Sequence, residues 1–93
     1  MTTETTMKTI EHTFVTIGGQ TVPAQKTEIT QKEYFQAAAV GLKPSACYTV
    51  RGGYYNGEDR LTTRKGEVLA IYRVYRDSVW VELYCERRAG IHA

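Results

Sequence analysis

Few side chains in this 93-residue chain are of the types that catalyse reactions, and none has the spacing that catalysis needs. The serines are Ser45 and Ser78, each beside a turn-forming residue, where a hydroxyl commonly caps or turns the backbone. The histidines are His12 and His92. His92 lies next to the C-terminal residue, where a side chain is poorly placed for preorganised catalysis. None of these four residues therefore predicts a nucleophile paired with a base.

Carboxylates and thiols give no stronger signal for catalysis or metal binding. Glu82 and Glu86 lie on one face of a predicted strand, but about 13 Å apart, which is too far for an acid–base pair. Paired histidines, a His-x-Glu motif and a Cys/His cluster with metal-ligand spacing do not occur in the sequence. We therefore expect a protein that is not an enzyme and that holds no cofactor or metal.

Aromatic side chains are the compositional excess, because seven of the 93 residues are tyrosines. Tyr54 and Tyr55 stand beside Asn56-Gly57, the strongest short turn signal, so we expect them in a loop. Three roles stay open for this pair: anchors of a protein interface, local packing of the loop, or stacking on nucleic-acid bases. We take Tyr54, Tyr55 and Asn56 as candidate interface residues.

Trp80 is the fourth candidate interface residue. It shares one face of the last predicted strand with Glu82, Tyr84 and Glu86. It either packs under the helix or the N-terminal strand, or belongs to a patch that is buried only on assembly. The remaining strand tyrosines are expected to pack at the wall of the sheet with their hydroxyls reaching solvent; they are Tyr48, Tyr72, Tyr75 and Tyr84.

One segment, from residue 28 to 41, clearly predicts a helix. Thr30 is a good N-cap, and Glu33 three residues later completes a capping box. Gly41 can take the left-handed position after the helix, and Pro44 prevents continuation. Apolar residues recur at helical spacing: Tyr34, Phe35, Ala38 and Ala39. A single helix between strands excludes the alternating folds that bind dinucleotides.

The rest of the chain predicts short antiparallel strands separated by glycine-containing turns. The longest, residues 67–76, is apolar on both faces, so we expect it to be covered on both sides. The predicted strands are 9–17, 21–29, 46–51, 61–64, 67–76 and 79–86. We therefore predict a mainly β fold: a small antiparallel barrel or sandwich of five to six strands with one short α-helix.

Length and charge limit the other possibilities. Residues 1–93 should form one domain, with residues 1–8 as a flexible, Thr-rich arm. A domain of this size buries roughly 60–65% of its unfolded surface, so assembly would add needed burial. The net charge of +2 is too small for a strongly basic nucleic-acid binder. Cys47 and Cys85 are expected to be reduced thiols, because no export signal precedes them.

Four segments, in order, resemble tailed-bacteriophage head closure proteins, which are also called head–tail joining or stopper proteins. The first combines the helix with its C-terminal turn, and the second includes a Tyr-Asn-Gly-Glu turn. The third and fourth are strands with the patterns IYRVY and VELYCERRAGI. The matching residues are 29–38 with 41–44, 48–51 with 54–58, 65–67 with 71–75, and 81–91.

The resemblance implies a structural protein of the virion neck that joins head to tail and closes the portal channel after DNA packaging. Its implied partners are portal or adaptor proteins, tail-completion or tail proteins, and copies of itself in a ring. Contact with DNA in the channel would be non-specific at most. The implied location is the virion, after assembly in the host cytoplasm.

Other functions stay open at this point. A small nucleic-acid-binding β-barrel could use Tyr54, Tyr55 and the arginines as stacking and phosphate contacts. A small antitoxin-like or regulatory partner protein is a third possibility. Membrane insertion is not expected, because no stretch approaches the roughly 20 apolar residues of a spanning helix.

Overall fold

Six antiparallel strands close into one barrel, and a single helix lies outside it. The computed structural model describes residues 10–91. The elements are β1 (Ile10–Ile17), β2 (Gln20–Thr27), α1 (Gln31–Ala38), β3 (Pro44–Arg51), a 3₁₀ helix (Gly52–Tyr54), β4 (Arg60–Thr63), β5 (Val68–Arg76) and β6 (Trp80–Glu86). The strand order is β1-β2-β3-β6-β5-β4, and β4 pairs with β1 to close the barrel. The predicted mainly β fold is confirmed, and its barrel form is the one adopted. The predicted arm, residues 1–8, lies outside the described residues.

The barrel interior is the hydrophobic core. Alternation along each strand turns every second side chain inward, as the period of a strand requires. The largest fully buried side chains are Leu61, Leu69, Leu83, Val15, Val22, Val50, Val81 and Cys85. Burying each large aliphatic side chain stabilises the fold by about 1.5–3 kcal/mol relative to exposure. The alternation predicted for the last strand is confirmed, because Val81, Leu83 and Cys85 face inward.

The two-residue turn between β1 and β2 fixes the register of the first hairpin. Gly18 and Gly19 both have positive φ, +58° and +82°, which matches the type I′ turn that suits the twist of a hairpin. The hairpin then pairs without a break from Ile17–Gln20 to Ile10–Thr27. Strand β2 therefore ends at Thr27, two residues before the predicted boundary at residue 29.

Strand β5 differs from the prediction in its second half. Its first residues are covered as expected, with Leu69 and Ala70 each 1% exposed. Residues 73–76 are exposed, because pairing with β4 stops at Ala70 and only β6 lies beside the remainder. The prediction that both faces are covered is wrong for this half. An apolar run does not reveal where a shorter neighbouring strand ends.

Helix α1 begins and ends largely as predicted. The Thr30 side chain accepts a hydrogen bond from the Glu33 amide at 3.2 Å. Glu33 does not return a bond to Thr30 but turns its carboxylate to the barrel, so half of the capping box forms. After the helix, Gly41 (φ +88°) donates to the Ala38 carbonyl and Leu42 donates to that of Ala37. These two bonds form a Schellman motif with Gly41 in the left-handed position.

The two cysteines lie on adjacent strands but face opposite sides of the sheet. Cys85 pairs with Ala46, while Cys47 pairs with Tyr84. Cys85 belongs to the core cluster, and Cys47 lines a groove on the outside. Both are buried thiols, and neither is in a disulfide.

Candidate interaction surface

A groove of about 610 Å³ lies between helix α1 and the outer face of the barrel. We call it the helix–sheet groove. Helix α1 forms one wall through Lys32, Glu33 and Gln36. The strand hairpin β5–β6 supplies much of the opposite wall and floor, with these residues: Arg73, Asp77, Trp80, Glu82 and Tyr84. The groove exists because the helix lies beside the sheet without covering it fully.

A β-bulge aims two consecutive side chains of β5 at the helix. Ile71 pairs with Cys85 and Arg73 pairs with Tyr84, so Tyr72 is an extra residue without a cross-strand partner. A bulge of this kind turns two neighbouring side chains toward the same face. Tyr72 and Arg73 therefore both reach the carboxylate of one helix residue.

That residue is Glu33, and its contacts attach the helix to the barrel. The Tyr72 hydroxyl donates to Glu33 Oε2 at 2.9 Å, and the Arg73 guanidinium donates to Oε1 at 2.7 Å and to Oε2 at 3.3 Å. The Arg73 guanidinium also lies 4.0 Å from the centre of the Tyr84 ring. Burial opposes ionisation of Glu33, but hydrogen bonds from Arg73 and Tyr72 outweigh it and lower its pKa. At neutral pH the clamp is a bidentate ion pair.

Apolar contact contributes little to the attachment of the helix. Of the α1 residues, all of them described, only Ala37 is buried. Ala37 follows Glu33 by four residues, so the two share one face of the helix. The face that meets the barrel is thus a carboxylate and a methyl group rather than an apolar stripe.

The aromatic residues at helical spacing point away from the barrel. Tyr34 and Phe35 are 48% and 60% exposed, and their rings pack edge to face with centres 5.9 Å apart. Val40, in the turn after the helix, is exposed as well. Sequence reasoning did not select these three as interface candidates. The sequence feature that could have identified them is Ala37. A small residue allows a close approach to the sheet, so Ala37 marks the side of the helix that faces the barrel, and the large side chains are then left exposed.

Trp80 lies at the edge of the helix–sheet groove and is 42% exposed. It is therefore not packed fully under the helix or a strand, which was the first of its two predicted environments. The Arg51 guanidinium lies over its ring, 5.5 Å from the centre. Trp80 also borders a second, smaller hollow of about 220 Å³ that contains His12, Pro23 and Tyr54. The two concavities share Gln25, Thr49 and Trp80, so they form one continuous surface.

The structure separates the two adjacent tyrosines. Tyr55 is 8% exposed, belongs to the core cluster, and its hydroxyl donates to the Glu58 carbonyl at 2.8 Å. The sequence makes Tyr55 a candidate interface residue, but its ring faces the core, because the chain closes back on itself after Gly57. Tyr54 is half-buried against the core. Asn56 is exposed, and its amide donates to Glu58 Oε1 at 2.8 Å.

Arg76 holds the Tyr55 loop from the β5 side. Its guanidinium lies 5.6 Å from the centre of the Tyr55 ring and donates to the Tyr55 carbonyl at 3.4 Å. Burial, with the nearby Glu58 carboxylate, raises the pKa of Tyr55. Of the roles left open by the sequence, local packing is therefore the one that describes the geometry of Tyr55.

A second exposed apolar set lies on the β5–β6 hairpin. We call it the hairpin set, and we call the exposed residues Tyr34, Phe35 and Val40 the helix set. Each set lies on or next to an element that lines the helix–sheet groove. Its members are Val74, Tyr75, Val79 and Trp80. Only Trp80 was a sequence candidate. Val74 and Tyr75 are exposed because β5 extends beyond its pairing with β4, which the sequence does not show, and Val79 lies in the turn before β6.

Side chains that could bind a metal or take part in catalysis are sparse in the part of the chain that the structure describes. Residues 10–91 contain no group of three or more His, Cys, Asp or Glu side chains arranged to hold a metal ion. Within the same range, no helix is both long and apolar enough to cross a bilayer. His12 is exposed on β1, and the Glu82 carboxylate accepts a 2.7 Å hydrogen bond from the Tyr84 hydroxyl.

Comparison with models of protein families, with curated proteins and with solved structures finds no match to this chain.

Proposed function

We propose that the protein is a structural component of a tailed-phage neck, where it joins head to tail and closes the portal channel. The observation that carries the proposal is the exposed apolar surface on both elements that wall the helix–sheet groove. The ordered resemblance of residues 28–91 to head closure proteins supplies the phage context. Function by contact, rather than by catalysis, is what such a surface supports.

The helix set and the hairpin set are the proposed contact surfaces. Tyr34 and Phe35 on α1 expose about half or more of their surface, as does Tyr75 on β5. Aromatic side chains in these positions gain the most from burial when a partner covers them. Exposed, these side chains contribute nothing to the stability of the monomer. They would be buried, and would stabilise the protein, only in an assembly.

The charges of the helix–sheet groove favour a protein partner. Two basic side chains, Lys32 and Arg73, face a larger number of carboxylates, and Arg73 is already paired with Glu33. The carboxylates are Glu28, Glu33, Asp77 and Glu82. This negative balance repels a phosphate backbone and suits a polypeptide segment with basic and apolar residues.

The proposed partners are portal or adaptor proteins above, tail or tail-completion proteins below, and neighbouring copies in a ring. Each contact set is small, so the isolated protein should associate weakly and sediment mainly as a monomer at micromolar concentration. A ring of portal–adaptor sites would make later contacts effectively intramolecular and so raise their strength.

Deletion of the gene in a phage that encodes this chain tests the proposal. We expect DNA-filled heads without tails, or heads that leak DNA, and restoration of infectious particles by the wild-type gene in trans. Quantitative mass spectrometry of purified particles should find the protein in multiple copies. Normal yields of tailed, infectious particles from the deletion would overturn the proposal.

A nucleic-acid-binding barrel is the second candidate, and the Arg51–Trp80 pair favours it. A guanidinium over an indole ring, with Tyr54 beside the same hollow, resembles a base-stacking platform. Tyr55, however, is packed in the core and cannot stack on a base. Fluorescence anisotropy with a labelled single-stranded oligonucleotide at low salt separates the candidates. Saturable binding that weakens with salt would favour this one.

A further inference from the structure

We infer that the open end of the barrel carries an oxyanion-binding site for a phosphate or carboxylate group. The site is a polar depression of about 200 Å³ that shares no residue with the helix–sheet groove. We call it the barrel-end depression. The residues that the inference uses are Glu11, Lys26, Tyr48, Arg64, Lys65 and Arg87.

The floor of the depression is a row of three cross-strand neighbours. Glu11 of β1 is directly opposite Lys26 of β2, and Lys26 is directly opposite Tyr48 of β3. Directly opposed residues in an antiparallel pair lie on the same face of the sheet. Tyr48 belongs to the core cluster, so this shared face is the inner one. The row thus brings an ammonium and a phenol together where the apolar interior ends.

The Tyr48 hydroxyl is the polar group that lacks a partner. Tyr48 is 4% exposed and lines the depression, and its hydroxyl makes no hydrogen bond to any residue in the range 10–91. A buried hydroxyl without a partner is costly, so such groups call for an explanation. Burial, aided by the nearby Cys85, Glu67 and Glu11, raises the pKa of Tyr48 to about 12. At neutral pH the hydroxyl is therefore a donor available to an acceptor in the depression.

Positive charge dominates the rim. Four basic side chains line the depression against two carboxylates, Glu11 and Glu67, which leaves a net charge of +2. Glu67 is paired with Arg87. The other three basic residues, which form no ion pair or aromatic contact with the described residues, are Lys26, Arg64 and Lys65.

The β4–β5 turn holds two of these cations in place. The Thr63 amide donates to the Glu67 carbonyl at 2.8 Å, and the Gly66 amide donates to the Thr63 carbonyl at 2.9 Å. The Thr63 hydroxyl also accepts from the Glu67 amide at 3.1 Å. A turn closed by three hydrogen bonds presents Arg64 and Lys65 from a defined backbone. The depression therefore brings together hydroxyl, ammonium and guanidinium donors. These are the groups with which proteins bind oxyanions.

Titration of the full chain with inorganic phosphate, followed by amide NMR, tests the inference. We expect saturable shifts confined to residues 26, 48, 63–67 and 87. Tyr48→Phe should weaken binding about tenfold, because it removes one hydrogen bond to a charged group. Lys65→Gln should weaken it about two- to fivefold. Lys32→Gln removes an exposed lysine elsewhere and is the matched control, with unchanged affinity expected.

The pattern of outcomes decides the inference. Acetate that binds as well as phosphate would identify a carboxylate as the group, while weaker acetate binding would identify a phosphate; both support an oxyanion site. Absence of saturable shifts with either anion would overturn it. Equal weakening by Lys65→Gln and Lys32→Gln would also overturn it, since only general surface charge would then be at work. Because Tyr48→Phe removes an unpartnered hydroxyl, its unfolding midpoint should be unchanged or higher, so loss of binding is separable from loss of fold.

Discussion

Different forces stabilise the barrel and hold helix α1 against it. Core residues such as Leu83 and Val81 are fully buried and are held by apolar contact on every side. The helix rests on Ala37 and on a carboxylate clamped by Tyr72 and Arg73. Apolar burial is insensitive to pH, while a carboxylate clamp requires ionisation. The helix should therefore be the part that detaches first.

This difference also explains where the surface available for contact lies. The barrel satisfies its own apolar residues by closing on itself, whereas the helix leaves Tyr34, Phe35 and Val40 in solvent. An element held by a few polar contacts can shift to meet a partner without breaking the core. Such a division would suit the assembly role that we propose.

The largest effect is expected for a cavity in the barrel. Leu83→Ala should destabilise the protein by about 2–5 kcal/mol, because Leu83 is 0% exposed and its neighbours are held by closure of the barrel. Urea unfolding followed by circular dichroism measures the change. A loss below about 1 kcal/mol would show that the barrel end can collapse around the cavity.

The two adjacent tyrosines should differ in the same assay. Tyr55→Ala removes a core ring and the hydroxyl bond to Glu58, so we expect a loss of about 2–4 kcal/mol. Tyr54→Ala, at a half-buried position, is the matched control and should cost about 1 kcal/mol or less. Equal effects would place both rings in equivalent environments and contradict the separation seen in the loop.

The end of the helix should respond to strain at Gly41. Gly41→Val should cost about 1–3 kcal/mol, because a β-branched residue does not tolerate φ near +88°. An added Cβ would meet no atom within 4 Å, so the cost is conformational rather than steric. Gly53→Val, at an open position without positive φ, is the control. Equal urea midpoints for the two variants would mean that the Schellman turn is not required.

The carboxylate clamp gives a smaller and pH-dependent effect. Glu33→Gln should cost about 1 kcal/mol at neutral pH, since it removes the charge from a hydrogen-bonded pair whose arginine is partly solvated. The pKa of Glu33 is lowered in the folded state, so its contribution is present above the unfolded-state value of about 4.3 and is lost as pH falls through the folded-state value.

Hydrogen exchange of the helix amides, measured between neutral pH and pH 3, checks this prediction. The wild type and the Glu33→Gln variant should differ most at neutral pH and converge in acid. Glu86, whose pKa is also lowered, is present in both proteins and cancels in the comparison. A difference that stays constant with pH would mean that the clamp is not electrostatic.

The fold was largely predictable because it depends on local patterns. Strand alternation, the Gly18-Gly19 turn and the Thr30 cap each act within a few residues, and the structure agrees with them. The second half of β5 was not predictable, because its exposure depends on the length of β4, a separate segment.

The contact surface was only partly predictable, for the same physical reason. Of the candidate interface residues, Trp80 is 42% exposed but Tyr55 is 8% exposed, because the burial of Tyr55 depends on a loop closing onto the barrel. Tyr34 and Phe35 were missed since an apolar stripe on a helix normally faces a core. Here Glu33 faces the barrel instead. The bulge at Tyr72 explains this orientation, because it brings two hydrogen-bond donors to the Glu33 carboxylate.

Complementation of the deletion phage with surface variants tests the central claim most directly. Phe35→Ser and Trp80→Ser alter exposed residues and should change the free energy of unfolding by less than about 1 kcal/mol. If these side chains are neck contacts, both variants should fold normally yet lower the yield of tailed, infectious particles at least about tenfold. Gln20→Ser, an exposed change in the β1–β2 hairpin and outside both contact sets, should complement like the wild type. Full complementation by both serine variants would contradict the account, because the exposed aromatic surface would then have no part in assembly.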